Sequence, residues 1–158
     1  MLSSTDEQAA ARLRFEELVR TVEPRLRAAF VALYGPEDGR DATAEALAHA
    51  WEHLDRVLAK DNPAGYLFRV GQSRSRRRKQ GYLLAPASEP PMVEPKLARA
   101  LERLTAHQRV VAVLHLGYRC TITDTAALLG VSRGAVQRHL DRARQKLRKE
   151  LGVTDELG

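Results

Sequence analysis

The stretch that most constrains this chain runs from Thr121 to Lys149, TITDTAALLGVSRGAVQRHLDRARQKLRK. It predicts two helices joined by a tight turn. Thr121 is an N-cap, with Asp124 three residues on to complete a capping box. Gly130 ends the first helix, because glycine takes the left-handed conformation at little cost. Ser132 caps the second. There Val136, Leu140, Ala143 and Leu147 recur at spacings of three and four, one helical stripe that must face a core. The opposite face carries Arg133, Gln137, Arg138, Arg142, Lys146 and Lys149.

A helix-turn-helix with a basic second helix suits the major groove of DNA, where the residues at the helix start touch base edges. Arginine pairs bidentately with guanine and glutamine with adenine, so Arg133, Gln137 and Arg138 fit direct readout. Gly134 is small enough to allow close approach to a duplex. Arg142, Arg144 and Lys146 lie further along and fit phosphate contacts, which position without specifying. The plain alternative is an amphipathic helix whose charges are merely solvated.

Charge is unevenly placed. Segments 69–79 and 133–149 hold 13 of the 26 basic residues but one acid, Asp141, so the remainder of the chain is acidic. Two concentrated basic surfaces suggest a polyanion held at two points. Aromatics make up 5% of the 158 residues, so the cores are mainly Leu, Val and Ala. The single cysteine, Cys120, excludes a disulfide framework and a cysteine metal site, and reads as a small buried hydrophobe. The start, MLSSTDEQAA, has no signal-peptide pattern, and the apolar run at 110–114 is too short for a bilayer. A soluble, cytoplasmic protein without membrane contact is expected.

In chain order, residues 1–8 read as a loose polar start. A helical pattern follows, with Leu13, Phe15, Leu18, Val19, Val22, Leu26, Phe30 and Leu33 inward, interrupted at Pro24 and ended by Gly35-Pro36. A helix from about Arg40 to Ala59 places Leu47, Ala50, Trp51, Leu54 and Leu58 on its inner face. Asn62-Pro63 then starts another helix, with Asn62 as N-cap and Pro63 at the first position. That helix begins apolar and turns basic, presenting Arg69, Gln72, Ser73, Arg76 and Arg77 outward. Gly71 lies within it, at a cost of about 1 kcal/mol relative to alanine, and would permit either a close helix crossing or a close approach by backbone.

Residues 81–95 hold four prolines and a glycine and read as an extended linker. Beyond it come a short helix through Leu97–Leu104 and a second one capped by Thr105 and Gln108. The fold class is therefore all-α, in two small domains: a helical bundle at 10–80 and a helix-turn-helix domain at 96–152, joined by the linker at 81–95.

The two halves together resemble a bacterial RNA polymerase sigma factor of the extracytoplasmic-function group. Region two is matched by "AHAWEHLDRV" and "NPAGYLFRVGQSRSRR", and region four by "LERLTAHQRVVAVLHLGY" and "TDTAALLGVSRGAVQRHLDRARQKLRKEL". The resemblance implies core RNA polymerase and promoter DNA as partners, and an anti-sigma factor where one exists. Polymerase binding is implied at Asp41, Glu45, His49, Trp51 and Glu52. The minus-ten element is implied at Lys60, Asp61, Asn62, Arg69, Gln72, Ser73, Arg76 and Arg77. The minus-thirty-five element falls to Arg133, Gly134, Gln137 and Arg138, with Arg142 and Lys146 beside them. The stretch "GRDATAEALAHAW" departs from the family pattern, having alanines and Thr43 where acidic and larger residues are usual.

Two other functions fit parts of the chain. One is a helix-turn-helix regulator that acts without polymerase as a homodimer. The other is a degenerate sigma-like protein that titrates an anti-sigma factor. An enzyme is not expected. His49 and His53 have the spacing of a zinc pair, but no third ligand is evident, and the sequence shows no phosphate loop, catalytic residues, cofactor site or metal site.

Overall fold

A computed structural model describes residues 3–75 and 95–152, and every regular element in them is helical. The order is α1 (Ser4–Tyr34), α2 (Pro36–Glu52), α3 (Leu54–Leu58), α4 (Pro63–Ser75), α5 (Pro95–Glu102), α6 (Ala106–Ala112), a π turn (Val113–Gly117), α7 (Ile122–Leu129) and α8 (Arg133–Leu151). The interior of the linker, the C-terminal tail, and with them Arg76 and Arg77, lie outside the described residues.

The expected loose start is instead helix. Ser3 and Asp6 form a capping box, so α1 begins at Ser4. Nor does Pro24 divide the segment, and α1 runs through it to Tyr34. The proline withholds one amide, but Val22, Leu26 and Phe30 on either side are buried, and tertiary burial outweighs a single lost bond. Gly35 then turns the chain, and Pro36 opens α2 four residues earlier than its pattern suggested.

A second correction concerns the helix expected over 40–59. It breaks at His53, whose φ and ψ are −127° and 39°, and α3 takes a new direction. Trp51 therefore leaves the expected inner face: it is 49% exposed and meets Phe15 edge-on at 5.2 Å. Leu58 and Leu13 are also exposed rather than inward.

Small residues let the first half close tightly. A Cβ at Gly39 would sit 2.5 Å from Val31 Cα, and one at Gly71 would fall on the Phe30 ring. Of the two alternatives at Gly71, the close crossing is the one present. Phe30 lies between Phe68 and Tyr34, stacked at 5.1 and 5.9 Å. The second half packs on the first, so one apolar core runs from Leu18, Val22 and Leu26 through Val111, Leu114, Cys120 and Leu128 to Val136 and Leu140. A smaller cluster of Ala100, Leu104, Ala112, Ala143 and Leu147 joins α5 and α6 to α8.

Candidate nucleic-acid interface

The helix-turn-helix forms where its local chemistry places it, though of the capping box expected at Thr121 and Asp124 only the threonine half is present. Thr121 Oγ1 accepts from Asp124 N at 2.9 Å, and Ser132 Oγ from Ala135 N at 3.1 Å. Each satisfies an amide that a helix start leaves unpaired. Gly130 is left-handed (φ 69°) and donates its N–H to Ala126 O at 2.9 Å. Val136, Leu140, Ala143 and Leu147 are all buried, and this fixes which side of α8 reaches solvent.

That outer side carries Arg133, Gly134, Gln137, Arg138 and Arg142, all exposed. Gln137 Nε2 donates to Asp141 Oδ1 at 2.9 Å, so the acid holds the amide in place. Nothing crowds Gly134: the nearest atom to a Cβ there is Ser132 Oγ at 4.0 Å. Lys146 differs from its neighbours, because its Nζ donates to Gln108 Oε1 of α6 at 3.0 Å. It ties α8 to α6 in this conformation.

On the inner side of α8, His139 stacks on His107 at 5.4 Å. Burial, then His107, Arg138 and Arg142, lower its pKa, and its Nδ1 is enclosed without a hydrogen-bond partner.

The second basic surface is built on α4. Asn62 Oδ1 caps it by accepting from Gly65 N at 3.0 Å, as the Asn-Pro pair led us to expect. Lys60, Asp61, Arg69 and Ser73 are exposed, and Gln72 is half-buried. Phe68 is core, but Tyr66 reaches the surface, where Lys60 Nζ lies 5.0 Å from its ring centroid. A cation over an aromatic face is a favourable, sequence-independent contact.

His49 belongs to this surface as well. Its Nε2 lies 2.9 Å from Tyr66 Oη, and Arg74 Nη2 points at its Nδ1 from 3.5 Å. Because a guanidinium only donates, Nδ1 must be the unprotonated nitrogen, and Nε2–H donates to the tyrosine. Burial, then the cations of His53, Arg74 and Arg56, lower the His49 pKa, which agrees with a neutral ring. Sequence alone placed His49 with Asp41 and Glu45, and only the fold joins it to Tyr66. Asp41 and Glu52 are exposed and Glu45 is half-buried on the same helix.

Two histidines held neutral make stability depend on pH. An unfolded histidine binds its proton near pH 6.5, and the folded protein lowers that value for both His49 and His139. Their contribution is therefore fully present above about pH 7 and is lost as pH falls below about 6.5. Thermal melts across this range should show a falling Tm, and H49Q/H139Q should flatten the slope. An unchanged slope in the double variant would assign the acid sensitivity to other groups.

The departures in "GRDATAEALAHAW" acquire a structural cause. Ala42, Ala46 and Ala50 are buried at 1%, 0% and 0% exposure, and Thr43 Oγ1 donates to Gly39 O at 2.7 Å in the interior. Small residues at these four positions lie in the interior, where α2 packs on α1 and α4, so only Ala44 and Ala48 alter the outer face.

Comparison with known proteins identifies the family. Residues 95–147 match the family described as Sigma-70, region 4. The RNA polymerase sigma-E factor of Streptomyces avermitilis is 32% identical, over 90% of this chain and 88% of that protein. The ECF RNA polymerase sigma factor SigM of Mycobacterium tuberculosis is 33% identical, over 91% and 80%. The fold is that of the sigma factor RpoE of Bartonella quintana, solved with the anti-sigma factor NepR, at a TM-score of 0.63, 24% identity and coverage of 88% and 97%. At 32–33% identity to these relatives over about nine-tenths of its length, the chain belongs to the ECF family of RNA polymerase sigma factors.

Proposed function

We propose that this protein binds core RNA polymerase and directs promoter-specific initiation of transcription, with no catalysis of its own. The observation that carries this reading is the exposed row of Arg133, Gln137, Arg138 and Arg142 on a capped, buried-backed helix. In that role α8 reads the minus-thirty-five element, with Arg133, Gln137 and Arg138 at base edges and Arg142 on phosphate. The α3–α4 connection and α4 hold the melted minus-ten strand, through Lys60, Asp61, Asn62, Arg69, Gln72 and Ser73, with Tyr66 as a stacking surface. Asp41, Glu45, Trp51 and Glu52 form the polymerase-facing side of α2. The 10–80 and 96–152 divisions act as two modules on one linker, each free to be weak because the other holds it near its site.

Purified protein mixed with core polymerase should form a complex and give run-off transcripts from a subset of a promoter library. Failure to bind polymerase, with duplex affinity retained, would favour an autonomous regulator. Arg138→Ala should cost about 1–3 kcal/mol of promoter binding and relax specificity at one position. An equal loss on a scrambled duplex would mean that Arg138 touches phosphate only.

A further inference from the structure

One acid stands among the arginines and lysines of α8. Segment 133–149 has a single carboxylate, Asp141, and it is exposed, as are Gln137, Arg138 and Arg142 around it. A carboxylate on a surface that meets phosphate repels it and weakens association with any duplex. Helix stability does not require the residue, because an exposed side-chain bond four residues apart adds little. Nor does the helix dipole, which favours acids only in the first turn. What the carboxylate does is hold Gln137, whose Nε2 donates to Asp141 Oδ1 at 2.9 Å. Chemistry fixes the sense of that bond. A carboxylate only accepts, so the amide must turn its nitrogen towards Asp141.

We propose that Asp141 is a positioning residue that sets which base Gln137 reads, adenine rather than guanine. This role rests on α8 reading duplex DNA, as proposed above. A primary amide has two N–H donors and one carbonyl acceptor. With one N–H held by Asp141, one donor and the acceptor remain for a base edge. Adenine offers the complement in the major groove, an acceptor at N7 and a donor at N6, whereas guanine offers two acceptors, N7 and O6. A glutamine with both N–H groups free can turn its amide over and satisfy guanine. One held by Asp141 cannot. The carboxylate therefore weakens general affinity and sharpens discrimination at one base pair, by penalising the wrong base as well as fitting the right one.

Three substitutions in the full-length chain separate positioning from charge. Asp141→Asn keeps the size and still bonds Gln137, but its amide donates as well as accepts, so the sense of the bond is lost. Asp141→Glu keeps a partner that only accepts. Gln137→Ala removes the reader and shows which base pair it contacts. Each chain, assembled with core polymerase and also alone, is presented with a randomised duplex library, and the bound fraction is sequenced. At the position whose preference Gln137→Ala abolishes, wild type should favour adenine over guanine roughly tenfold. Asp141→Asn should bring the two bases close to parity while binding the whole library more tightly. Asp141→Glu should keep the wild-type ratio.

The same adenine-to-guanine ratio in wild type and Asp141→Asn would overturn the positioning role, as would a wild type that favours guanine there. An equal loss in Asp141→Glu would overturn it too, by showing that the face tolerates no change rather than that the acceptor matters. Adding Asp141→Asn to Gln137→Ala should alter affinity alone; a further change in base preference would mean that Asp141 meets a base directly. A sequence selected through Arg133 or Arg138 but indifferent to Gln137 would remove the role of Asp141 and leave the reading of α8 standing. Wild type that selects no sequence would overturn both. Failure to bind polymerase, with the ratios intact on the chain alone, would count against the proposed function and leave Asp141 in its role.

Discussion

Phe30→Ala should be the most damaging single truncation in the first half, lowering unfolding free energy by about 3–5 kcal/mol. The ring is fully buried and stacked between Phe68 and Tyr34, so its loss removes transfer energy and two aromatic contacts and leaves a cavity. Against a typical total stability of about 5–15 kcal/mol, urea titration should show a large fall in midpoint with little change in slope. Gly71 supplies the internal check. In the wild type, Gly71→Ala drives a Cβ onto the Phe30 ring, and overpacking of about 1–3 kcal/mol outweighs the gain of about 1 kcal/mol in helix propensity. With Phe30 already alanine the obstruction is gone, and the same change should stabilise. A Gly71→Ala cost that is equal in both backgrounds would show that the two positions do not touch.

Arg109→Met should cost about 2–4 kcal/mol, more than any surface charge removal. This guanidinium donates to Leu101 O at 2.9 Å, Leu104 O at 3.1 Å, Glu102 O at 3.4 Å and Ala32 O at 3.2 Å. It completes the C-terminal end of α5, whose last carbonyls have no partner within the helix, and reaches α1 besides. Methionine keeps the apolar stem, so the loss in urea titration reports the hydrogen bonds. Arg109→Lys should recover little, because a single ammonium cannot supply a planar fork to carbonyls in several directions. Full recovery by lysine would mean that charge alone is what α5 requires.

The elements legible in the sequence are those whose partners are close along the chain. The caps at Thr105, Thr121 and Ser132 bond amides three residues away, and Asn62 does the same for α4. The turn at Gly130 needs only its own backbone conformation. Burial of the Val136–Leu147 stripe follows from helical periodicity and leaves the arginine face outward whatever it packs against. Pattern failed where local preference met a competing tertiary demand. Pro24 stays helical because burial on both sides holds it, and the pattern over 40–59 breaks at His53, where α3 turns away and leaves Trp51 half in solvent.

The sequence by itself therefore determined the helical class, the helix-turn-helix and the two basic faces, because capping, turn chemistry and periodicity act over three to seven residues. Only the tertiary structure decided that His49 supports Tyr66 across 17 residues, that Lys146 holds α6 across 38, and that Asn62 Nδ2 donates to Ala127 O of α7 across 65. Such pairs leave no periodic mark: each depends on which helices share a core, and here one apolar core drew both halves together.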